Sequence, residues 1–431
     1  MRAAFYTLGC KVNQYESQVL AQLFASSGFS IVNCEEPADV YIVNSCTVTA
    51  AGDKKTRQAL HRFKRQNPGA IVCVTGCFPQ AFPDKAALIP EADIITGALD
   101  RGELLNSVIS FMENGQRIVN IQKHQKSEAF EPMRAQSFFE RTRAFIKIED
   151  GCDKYCSYCI IPAARGPIRS KPLAELKAEL SGLAKTGYKE AVLVGINLSS
   201  YGKDIGLRLT DAVKAACETN GIGRVRLGSL EPELMTDEDV EELAKQPKFC
   251  PQFHLSLQSG WDETLKRMNQ HYDSTQYFEL VEKLRNIFEN CAVTTDIMVG
   301  FPGETAEEFE KSLAFAQKAG FAKAHVFAYS KREGTKAAAM PNQIPKSVKE
   351  ERSHKMTEIT ELSRKLFMEG QIGTKAEVLF ETHLGKKQYE GYTKNYVPVL
   401  LESESDIRGQ VLRVVITGCT ESHCTGNIQP D

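Results

Sequence analysis

The chain has 431 residues, of which 42% are hydrophobic and 25% are charged, as in ordinary soluble proteins of two to four domains. No run of about 18 apolar residues occurs and the first residues do not form a signal peptide, so we expect neither a membrane span nor export from the cytoplasm. The net charge of −2 excludes a uniformly basic nucleic-acid binder, and 13 cysteines in a reducing compartment favour metal ligation over disulfides.

Residues 1–121 alternate short β-rich apolar runs with helical patterns, which predicts a parallel sheet covered by helices. The expected strands include residues 2–8, 40–44 and 70–75, and the expected helices include residues 13–26 and 50–66. Residues 122–142 lack clear periodicity, and we interpret them as a linker.

The same alternation restarts at residue 143 and runs to a long helical pattern that ends at residue 368. Six strands separated by helical stretches predict an open, partial (βα)6 barrel, in which chemistry takes place at the C-terminal ends of the strands. The expected strands are residues 144–148, 191–195, 224–227, 253–257, 293–298 and 325–329.

The last segment, residues 369–431, changes character. Residues 376–380, 397–401 and 409–416 have strand-like patterns with glycine-containing turns and no helix between them. This pattern predicts a small antiparallel β-barrel.

A triplet of cysteines follows the first strand of the predicted (βα)6 barrel. Cys152, Cys156 and Cys159 have Cys-x3-Cys-x2-Cys spacing. Three thiolates this close can ligate three irons of a four-iron cluster, which leaves the fourth iron open to a small molecule. The alternatives are a zinc knuckle without a nearby fourth ligand, or three buried free thiols. Zinc sites usually have paired cysteines and four ligands, so the cluster is the favoured interpretation.

This spacing resembles the signature of the radical S-adenosylmethionine superfamily. The resemblance implies that S-adenosylmethionine binds the open iron and that one electron from the cluster cleaves it to a 5′-deoxyadenosyl radical. It also places the ring of Tyr158 against the adenine of this cofactor, and the loop of Gly195 and Asn197 against its methionyl amine.

Polar side chains at the ends of later strands are further candidates for cofactor binding, because a ribose and a carboxylate need hydrogen bonds. For any single residue the alternative is turn chemistry or helix capping. These candidates are Ser229, Glu231, Ser256, Gln258 and Asp296.

Three more cysteines each close an apolar run in residues 1–121, and each follows a small residue. They are Cys10, Cys46 and Cys77. The C-terminal ends of parallel strands meet at one edge of a sheet, so these thiolates could hold a second cluster with its own open iron. A small residue lets the backbone approach a bulky group closely. The alternative is that all three are small, buried core residues.

Two clusters and a third domain resemble the methylthiotransferases over essentially the whole chain. The matching motifs are Thr7-Leu8-Gly9-Cys10-Lys11-Val12-Asn13-Gln14-Tyr15-Glu16-Ser17, Asn44-Ser45-Cys46-Thr47-Val48-Thr49, Thr75-Gly76-Cys77 and Cys159-Ile160-Ile161-Pro162-Ala163-Ala164-Arg165-Gly166. The first motif resembles the branch that acts on threonylcarbamoyladenosine in tRNA, and the last domain resembles the RNA-binding TRAM domain.

The resemblance implies a division of labour between the two clusters. The auxiliary cluster supplies sulfur. S-adenosylmethionine donates the methyl group and also makes the radical that takes hydrogen from carbon 2 of the adenine next to the anticodon. A radical is needed because polar chemistry does not easily replace that hydrogen.

One predicted helix is strongly basic, with six cationic side chains in twelve residues and no acid among them. A phosphate-binding surface and a solvated helix face both fit this pattern. The six residues are Lys54, Lys55, Arg57, Arg62, Lys64 and Arg65. Arg165 and Arg169, just after the cysteine triplet, are further candidates for contact with RNA or with the carboxylate of the cofactor. The last domain is acidic, so RNA binding there would need selected residues such as Lys386, Lys387 and Lys394.

The leading hypothesis is a tRNA methylthiotransferase that makes 2-methylthio-N6-threonylcarbamoyladenosine. Within the same chemistry, the alternatives are isopentenyladenosine in tRNA or a side chain of a ribosomal protein. A non-catalytic iron–sulfur protein that binds RNA is the alternative from another class. The expected cofactors are two [4Fe–4S] clusters and S-adenosylmethionine. The expected partners are tRNA, a reductant such as flavodoxin or ferredoxin, and a sulfur donor.

Overall fold

A computed structural model describes residues 1–137 and 142–429. The end of the predicted linker, residues 138–141, and the last two residues of the chain lie outside the described residues. Among the described residues, no helix combines the length and the apolar character that crossing a membrane requires.

The N-terminal part is a six-stranded parallel sheet with the strand order β2-β1-β3-β4-β5-β6. The strands are β1 (Arg2–Thr7), β2 (Ser30–Val32), β3 (Val40–Ser45), β4 (Ile71–Gly76), β5 (Ile94–Thr96) and β6 (Ile118–Asn120). The helices are α1 (Lys11–Ser26), α2 (Ala50–Gln66), α3 (Cys77–Ala81), α4 (Pro83–Ala87) and α5 (Glu103–Asn114). Both faces of the sheet bury apolar side chains under these helices, which confirms the predicted α/β architecture.

The central part is an open barrel of parallel strands in two adjoining sheets, ordered β11-β10-β7 and β12-β13-β14-β15. Its strands are β7 (Arg143–Lys147), β10 (Glu190–Val194), β11 (Arg224–Leu227), β12 (Ser229–Leu230), β13 (Gln252–Leu255), β14 (Ala292–Val299) and β15 (Lys323–Ala328). A separate two-stranded ribbon pairs β8 (Glu149–Asp150) with β9 (Arg169–Ser170). The partial barrel is therefore confirmed.

Nine helices of the central part connect and cover these strands in the described residues. They are α6 (Ile161–Arg165), α7 (Leu173–Lys185), α8 (Leu209–Glu218), α9 (Asp237–Ala244), α10 (Asp262–Met268), α11 (Ser274–Ile287), α12 (Ala306–Ala319), α13 (Lys336–Ala339) and α14 (Lys346–Glu369). Several begin with a local capping signal. In α12, for example, Thr305 accepts a hydrogen bond from the Glu308 amide at 3.2 Å, and the Glu308 carboxylate accepts one from the Thr305 amide at 2.9 Å.

The C-terminal part is a closed five-stranded barrel with the order β16-β17-β18-β20-β19. Its strands are β16 (Lys375–Gly385), β17 (Gln388–Thr393), β18 (Pro398–Glu402), β19 (Val411–Cys419) and β20 (Cys424–Ile428). The predicted small barrel is confirmed. The prediction that it is antiparallel is wrong for one pairing, since β18 and β20 run parallel. β20 runs antiparallel to β19, and on its other side it pairs in parallel with β18.

The C-terminal barrel docks against the beginnings of the central strands. Arg143, the first residue of β7, forms an ion pair with Glu381 at 2.6 Å. Arg224, the first residue of β11, donates to the carbonyl oxygen of Tyr392 at 3.1 Å. Because the cysteine triplet follows the other end of β7, the C-terminal barrel and the triplet lie at opposite ends of the central strands.

The segment interpreted as a linker has neither helix nor strand in its described residues 122–137, but it is packed against its neighbours. Glu131 forms an ion pair with Arg101 at 2.7 Å. The carbonyl oxygen of Met133 accepts a hydrogen bond from the Tyr15 hydroxyl at 2.8 Å. The same carbonyl oxygen accepts a second hydrogen bond from the side chain of Lys171 in the central part at 3.1 Å, so this segment helps to hold the N-terminal sheet against the central barrel.

Candidate active site

The cysteine triplet lies in the loop that leaves β7 and β8 for α6. The thiols of Cys152, Cys156 and Cys159 are partly buried. Each thiol has a nitrogen donor nearby: the Asn197 side chain stands 3.7 Å from Cys152, the Gln270 side chain 3.7 Å from Cys156, and the Ile161 amide 3.4 Å from Cys159. These donors would stabilise thiolates, and hydrogen bonds of this kind surround metal-bound sulfur in proteins.

The three thiols of this loop offer the donor set of a four-iron cluster. Among the described residues, no group of three or more histidine, cysteine, aspartate or glutamate side chains is arranged to hold one metal ion. In a four-iron cluster each thiolate binds a different iron, so the thiolates stand further apart than the ligands of one ion. Burial raises the pKa of Cys152 to about 12, so in the absence of metal this thiol stays protonated near neutral pH.

Buried polar atoms without partners mark the strand ends beside the triplet. The carboxylate of Glu149 accepts a hydrogen bond from the Asn197 amide at 2.7 Å, while its other oxygen and the side-chain oxygen of Asn197 have no partner among the described residues. An unsatisfied buried acceptor is costly, so these atoms fit a site for a polar ligand. A Cβ atom on Gly195 would stand 2.6 Å from the Glu149 carboxylate and 3.2 Å from the Cα of Leu198, so this loop packs closely on Glu149.

Tyr158 lies beside the triplet, and its contact with the adenine of the cofactor stays a prediction. Its hydroxyl accepts a hydrogen bond from the Gln270 side chain at 3.0 Å. Its ring packs edge-on against Phe301, with the ring centroids 6.4 Å apart. The ring is thus fixed next to the cysteines.

The other cofactor candidates are placed in different ways. Glu231 is partly buried and forms an ion pair with Lys154 at 2.7 Å, and burial raises the pKa of this carboxylate. Ser229, in contrast, is exposed, and Ser256 is buried. Gln258 has a positive φ of 61°, and its amide donates to the carbonyl oxygen of Asp296 at 2.9 Å. Ser229, Glu231, Ser256 and Gln258 lie at or just beyond strand ends, whereas Asp296 lies inside β14, because that strand continues to Val299, so the prediction that Asp296 ends its strand is wrong. Contact of all five residues with a cofactor stays a prediction.

The barrel interior also contains polar residues that the sequence did not reveal. His254 forms a contact of 3.2 Å with the carboxylate of Asp296, and its ring centroid stands 6.0 Å from that of His325. Lys154 is buried between Glu231 and Glu233. The sequence did not reveal these contacts, because the partners of each residue are distant in sequence.

The second set of cysteines lies where the sequence predicts, at the ends of β1, β3 and β4. Cys46 is partly buried and Cys77 is buried, whereas Cys10 is exposed. The three strands are neighbours in the sheet, and the parallel register pairs Thr7 with Asn44 and Asn44 with Thr75. Burial, reinforced by the nearby Cys77 and Cys10, raises the pKa of Cys46 to about 11. The structure therefore brings the three thiols together.

Asparagine side chains hold these strand ends in place. Asn13 donates to the carbonyl oxygens of Leu8 at 3.0 Å and Ser45 at 2.9 Å. Asn44 donates to the carbonyl oxygen of Asn13 at 3.0 Å. Buried amides that satisfy the backbone at both strand ends fix the separation of Cys10 and Cys46.

The small residues before the cysteines have a structural reason of their own. Gly9 and Gly76 have φ values of 108° and 94°, in the region that favours glycine. A Cβ atom on Gly9 would stand 2.9 Å from the Cβ of Cys46, and one on Gly76 would stand 2.5 Å from the side-chain oxygen of Asn44. Close packing of the cysteine loops on one another therefore requires glycine at both positions.

Arg165 and Arg169 do not face RNA in this structure, which corrects that expectation. Arg165 is fully buried, and its guanidinium contacts Glu16 at 2.6 Å and the sulfur of Cys77 at 3.2 Å. Arg169 is also buried and forms an ion pair with Glu128 at 2.5 Å. Helix α6 packs against α3, so Arg165 points into the contact between the N-terminal sheet and the central barrel, whereas Arg169 contacts the connecting segment and Asp150 of β8.

Two of the six basic side chains of helix α2 are paired with acidic residues. Arg62 and Lys64 form ion pairs with Glu35 at 3.1 Å and with Asp93 at 2.8 Å, respectively. The remaining four basic side chains are exposed. They are Lys54, Lys55, Arg57 and Arg65. These four are the ones available to a phosphate backbone.

Comparisons with known proteins fit this geometry. The Radical SAM superfamily matches residues 146–316, and the Uncharacterized protein family UPF0004 matches residues 2–97. The threonylcarbamoyladenosine tRNA methylthiotransferase MtaB of Bacillus subtilis is 38% identical to this chain over 96% of this chain and 93% of its own length. The MtaB of Thermotoga maritima is 39% identical over 91% of this chain and 89% of its own length. The chain belongs to the radical S-adenosylmethionine methylthiotransferase family.

Members of this family act on more than one nucleoside. The tRNA-2-methylthio-N(6)-dimethylallyladenosine synthase of Pelotomaculum thermopropionicum is 32% identical over 97% of this chain and 95% of its own length. Among solved structures, the radical S-adenosylmethionine methyltransferase TsrM from Kitasatospora setae has a TM-score of 0.56 at 15% identity and covers 78% of this chain and 77% of its own. That likeness shows the fold.

As a member of this methylthiotransferase family, the protein is an enzyme that uses S-adenosylmethionine and two [4Fe–4S] clusters. The unpartnered oxygens of Glu149 and Asn197 and the two sets of three thiols fit these groups. A non-catalytic iron–sulfur protein that only binds RNA is thereby ruled out.

Proposed function

We propose that this methylthiotransferase acts in the cytoplasm on N6-threonylcarbamoyladenosine next to the anticodon of tRNA and adds a methylthio group to carbon 2 of the adenine. The observation that carries the proposal is the pairing of two three-cysteine sites across one buried contact. Arg165, six residues after Cys159, reaches the sulfur of Cys77. Both MtaB relatives support the nucleoside.

Cys152, Cys156 and Cys159 would hold the cluster that binds S-adenosylmethionine. When bound, the cluster and S-adenosylmethionine together supply a radical that takes a hydrogen atom from an unactivated carbon. Around it, Tyr158 offers a flat apolar surface, and Glu149 and Asn197 offer unpartnered oxygens that can accept from an ammonium group. Burial of these side chains excludes water from the radical.

Cys10, Cys46 and Cys77 would hold the auxiliary cluster that supplies sulfur. Asn13 and Asn44 keep the ends of β1 and β3 at a fixed separation, and the exposed Cys10 leaves this site open to solvent and to substrate. Replenishing the sulfur requires a sulfur donor, and making the radical requires a reductant such as flavodoxin or ferredoxin.

The exposed charges of α2 would bind the backbone of the tRNA. Helix α2 starts four residues after Cys46, and the hydroxyl of Thr49 accepts a hydrogen bond from the Gly52 amide at the helix start. A nucleic acid lying along Lys54, Lys55 and Arg57 therefore passes close to the auxiliary cysteines.

Nucleoside analysis by mass spectrometry of tRNA from a strain that lacks this gene tests the proposal. We expect loss of 2-methylthio-N6-threonylcarbamoyladenosine and accumulation of its unmethylthiolated precursor. The wild-type gene should restore the product, and a C159A gene should not. Loss of the 2-methylthio derivative of isopentenyladenosine instead, or unchanged tRNA, would contradict the proposal.

A further inference from the structure

A single buried arginine connects the two cysteine sites. Arg165 is the last residue of α6, and none of its side chain is exposed. Its Nε donates a hydrogen bond to the sulfur of Cys77 at 3.2 Å. The radical-site loop therefore contributes a hydrogen-bonded cation to the neighbouring site.

The rest of the guanidinium is held so that it cannot turn away. Its two terminal nitrogens donate to Glu16 at 2.6 Å and to Asn13 at 2.7 Å. Glu16 is itself paired with Arg101 at 2.9 Å and with Lys147 at 2.8 Å, and it is fully buried. Because both terminal nitrogens are held, the guanidinium can point its Nε donor only toward Cys77.

We propose that Arg165 is a positioning residue that raises the reduction potential of the cluster held by Cys10, Cys46 and Cys77. The inference rests on the assignment of these cysteines under the proposed function. A hydrogen bond from a cation to a ligating sulfur withdraws electron density from the thiolate and stabilises the added electron of the reduced cluster. Removal of the cation should therefore make the cluster harder to reduce.

Through this contact, the central barrel sets the electronic environment of the sulfur-supplying site. Arg165 reaches Cys77 only when α6 is packed against α3, as it is here. The auxiliary cluster therefore has its raised reduction potential only when the N-terminal sheet and the central barrel are docked.

The test is a reductive titration of the auxiliary cluster followed by electron paramagnetic resonance. The full chain carries C152A, C156A and C159A, so that only the auxiliary cluster gives a signal. In this background we compare R165Q, R165K and the control R169Q. Arg169 is a second buried arginine from the same segment, paired with Glu128 and Asp150, with no contact to a cysteine in the described residues.

We expect R165Q to keep about four irons per chain and to shift the midpoint potential to more negative values. R165K should shift it less, because it keeps the charge but loses the fork. R169Q should leave the potential unchanged.

Three results would overturn the proposal. One is an R165Q protein with full iron and the parent potential. Another is an equal shift of the midpoint potential in R169Q, since loss of any buried positive charge nearby would then have the same effect. The third is iron loss in both R165Q and R165K, which would make Arg165 purely structural. If the parent background binds no iron at all, the cysteine assignment itself fails. Because no tRNA enters this experiment, the result is independent of the substrate.

Discussion

Buried charges in this protein occur in balanced groups. Burial alone would raise the pKa of Glu16, but Arg101, Arg165 and Lys147 outweigh it and lower that pKa to about 2. In the same way, Arg226 and Arg224 lower the pKa of Glu190 to about 2 against the effect of burial. Each carboxylate is therefore ionised at neutral pH because of its partners.

Glu190 provides a prediction about stability. Its contacts to Arg226 and Arg224 are both 2.8 Å long, and the same arginines donate to backbone carbonyls of the C-terminal barrel. We expect E190Q to lower the free energy of unfolding at pH 7 by about 3 kcal/mol, since it leaves two buried guanidiniums without their anion. Urea unfolding of the cluster-free protein measures the effect.

The pH dependence of this difference follows from the lowered pKa. The stability due to Glu190 is fully present above its ordinary pKa of 4.5 and is lost as the pH falls toward about 2. The difference in the free energy of unfolding between wild type and E190Q should therefore become smaller as the pH falls below 4.5. A gap that stays constant to pH 3 would contradict the assigned ion pair. The exposed Glu242, paired with Lys245, is the control, and E242Q should unfold like the wild type.

Sequence patterns predicted where the two sets of cysteines lie but not what surrounds them. Cys152 and its partners were visible because their spacing is local, and Cys10, Cys46 and Cys77 because each ends an apolar run. Glu149 and Lys154 were missed because their roles depend on partners distant in sequence. Only packing reveals that Glu149 meets the loop of Asn197, 48 residues later.

At the scale of elements, long periodic segments were predicted closely and short ones were not. Helix α2 has the predicted bounds, residues 50–66, and the predicted helix at residues 346–368 ends one residue later. Strands β2, β5 and β6 have three residues each, too few for a periodic signal. The burial of Arg165 also escaped prediction, because α6 has only five residues and its position is set by α3.

Helix α2 gives a prediction at this scale. Replacing its four exposed basic residues by alanine should weaken tRNA binding and make its salt dependence shallower by about three units of slope. The variant is K54A, K55A, R57A and R65A, and its cleavage of S-adenosylmethionine without tRNA should be unchanged. Binding is measured by filter retention at several salt concentrations.

The matched control for α2 uses the two basic residues that already have acidic partners. R62A with K64A removes charge from the same helix, but Glu35 and Asp93 neutralise these side chains in the wild type. We expect a much smaller change in salt slope. If both variants bind tRNA like the wild type, α2 is only a solvated helix face.

At the scale of the whole molecule, the two cysteine sites are joined by more than Arg165. On the other side of the contact, Arg332 follows β15 and donates to Thr47 at 2.7 Å and to Asp53 at 2.8 Å, next to Cys46. The N-terminal sheet and the central barrel are thus tied together on both sides of the auxiliary cysteines. The acidic C-terminal barrel lies at the opposite ends of the central strands. The basic helix α2, in contrast, starts four residues after Cys46, close to the auxiliary cysteines.

The central claim is that two separate cysteine sites divide the chemistry, and one variant tests it directly. Alanine at Cys10, Cys46 and Cys77 should leave the radical site intact, because its thiols and their donors lie elsewhere. We measure iron content, 5′-deoxyadenosine and modified nucleoside with this variant, S-adenosylmethionine, a reductant and tRNA. The account predicts about four irons per chain instead of about eight, continued formation of 5′-deoxyadenosine and no methylthio nucleoside. Full iron content with product at a near-normal rate would contradict it.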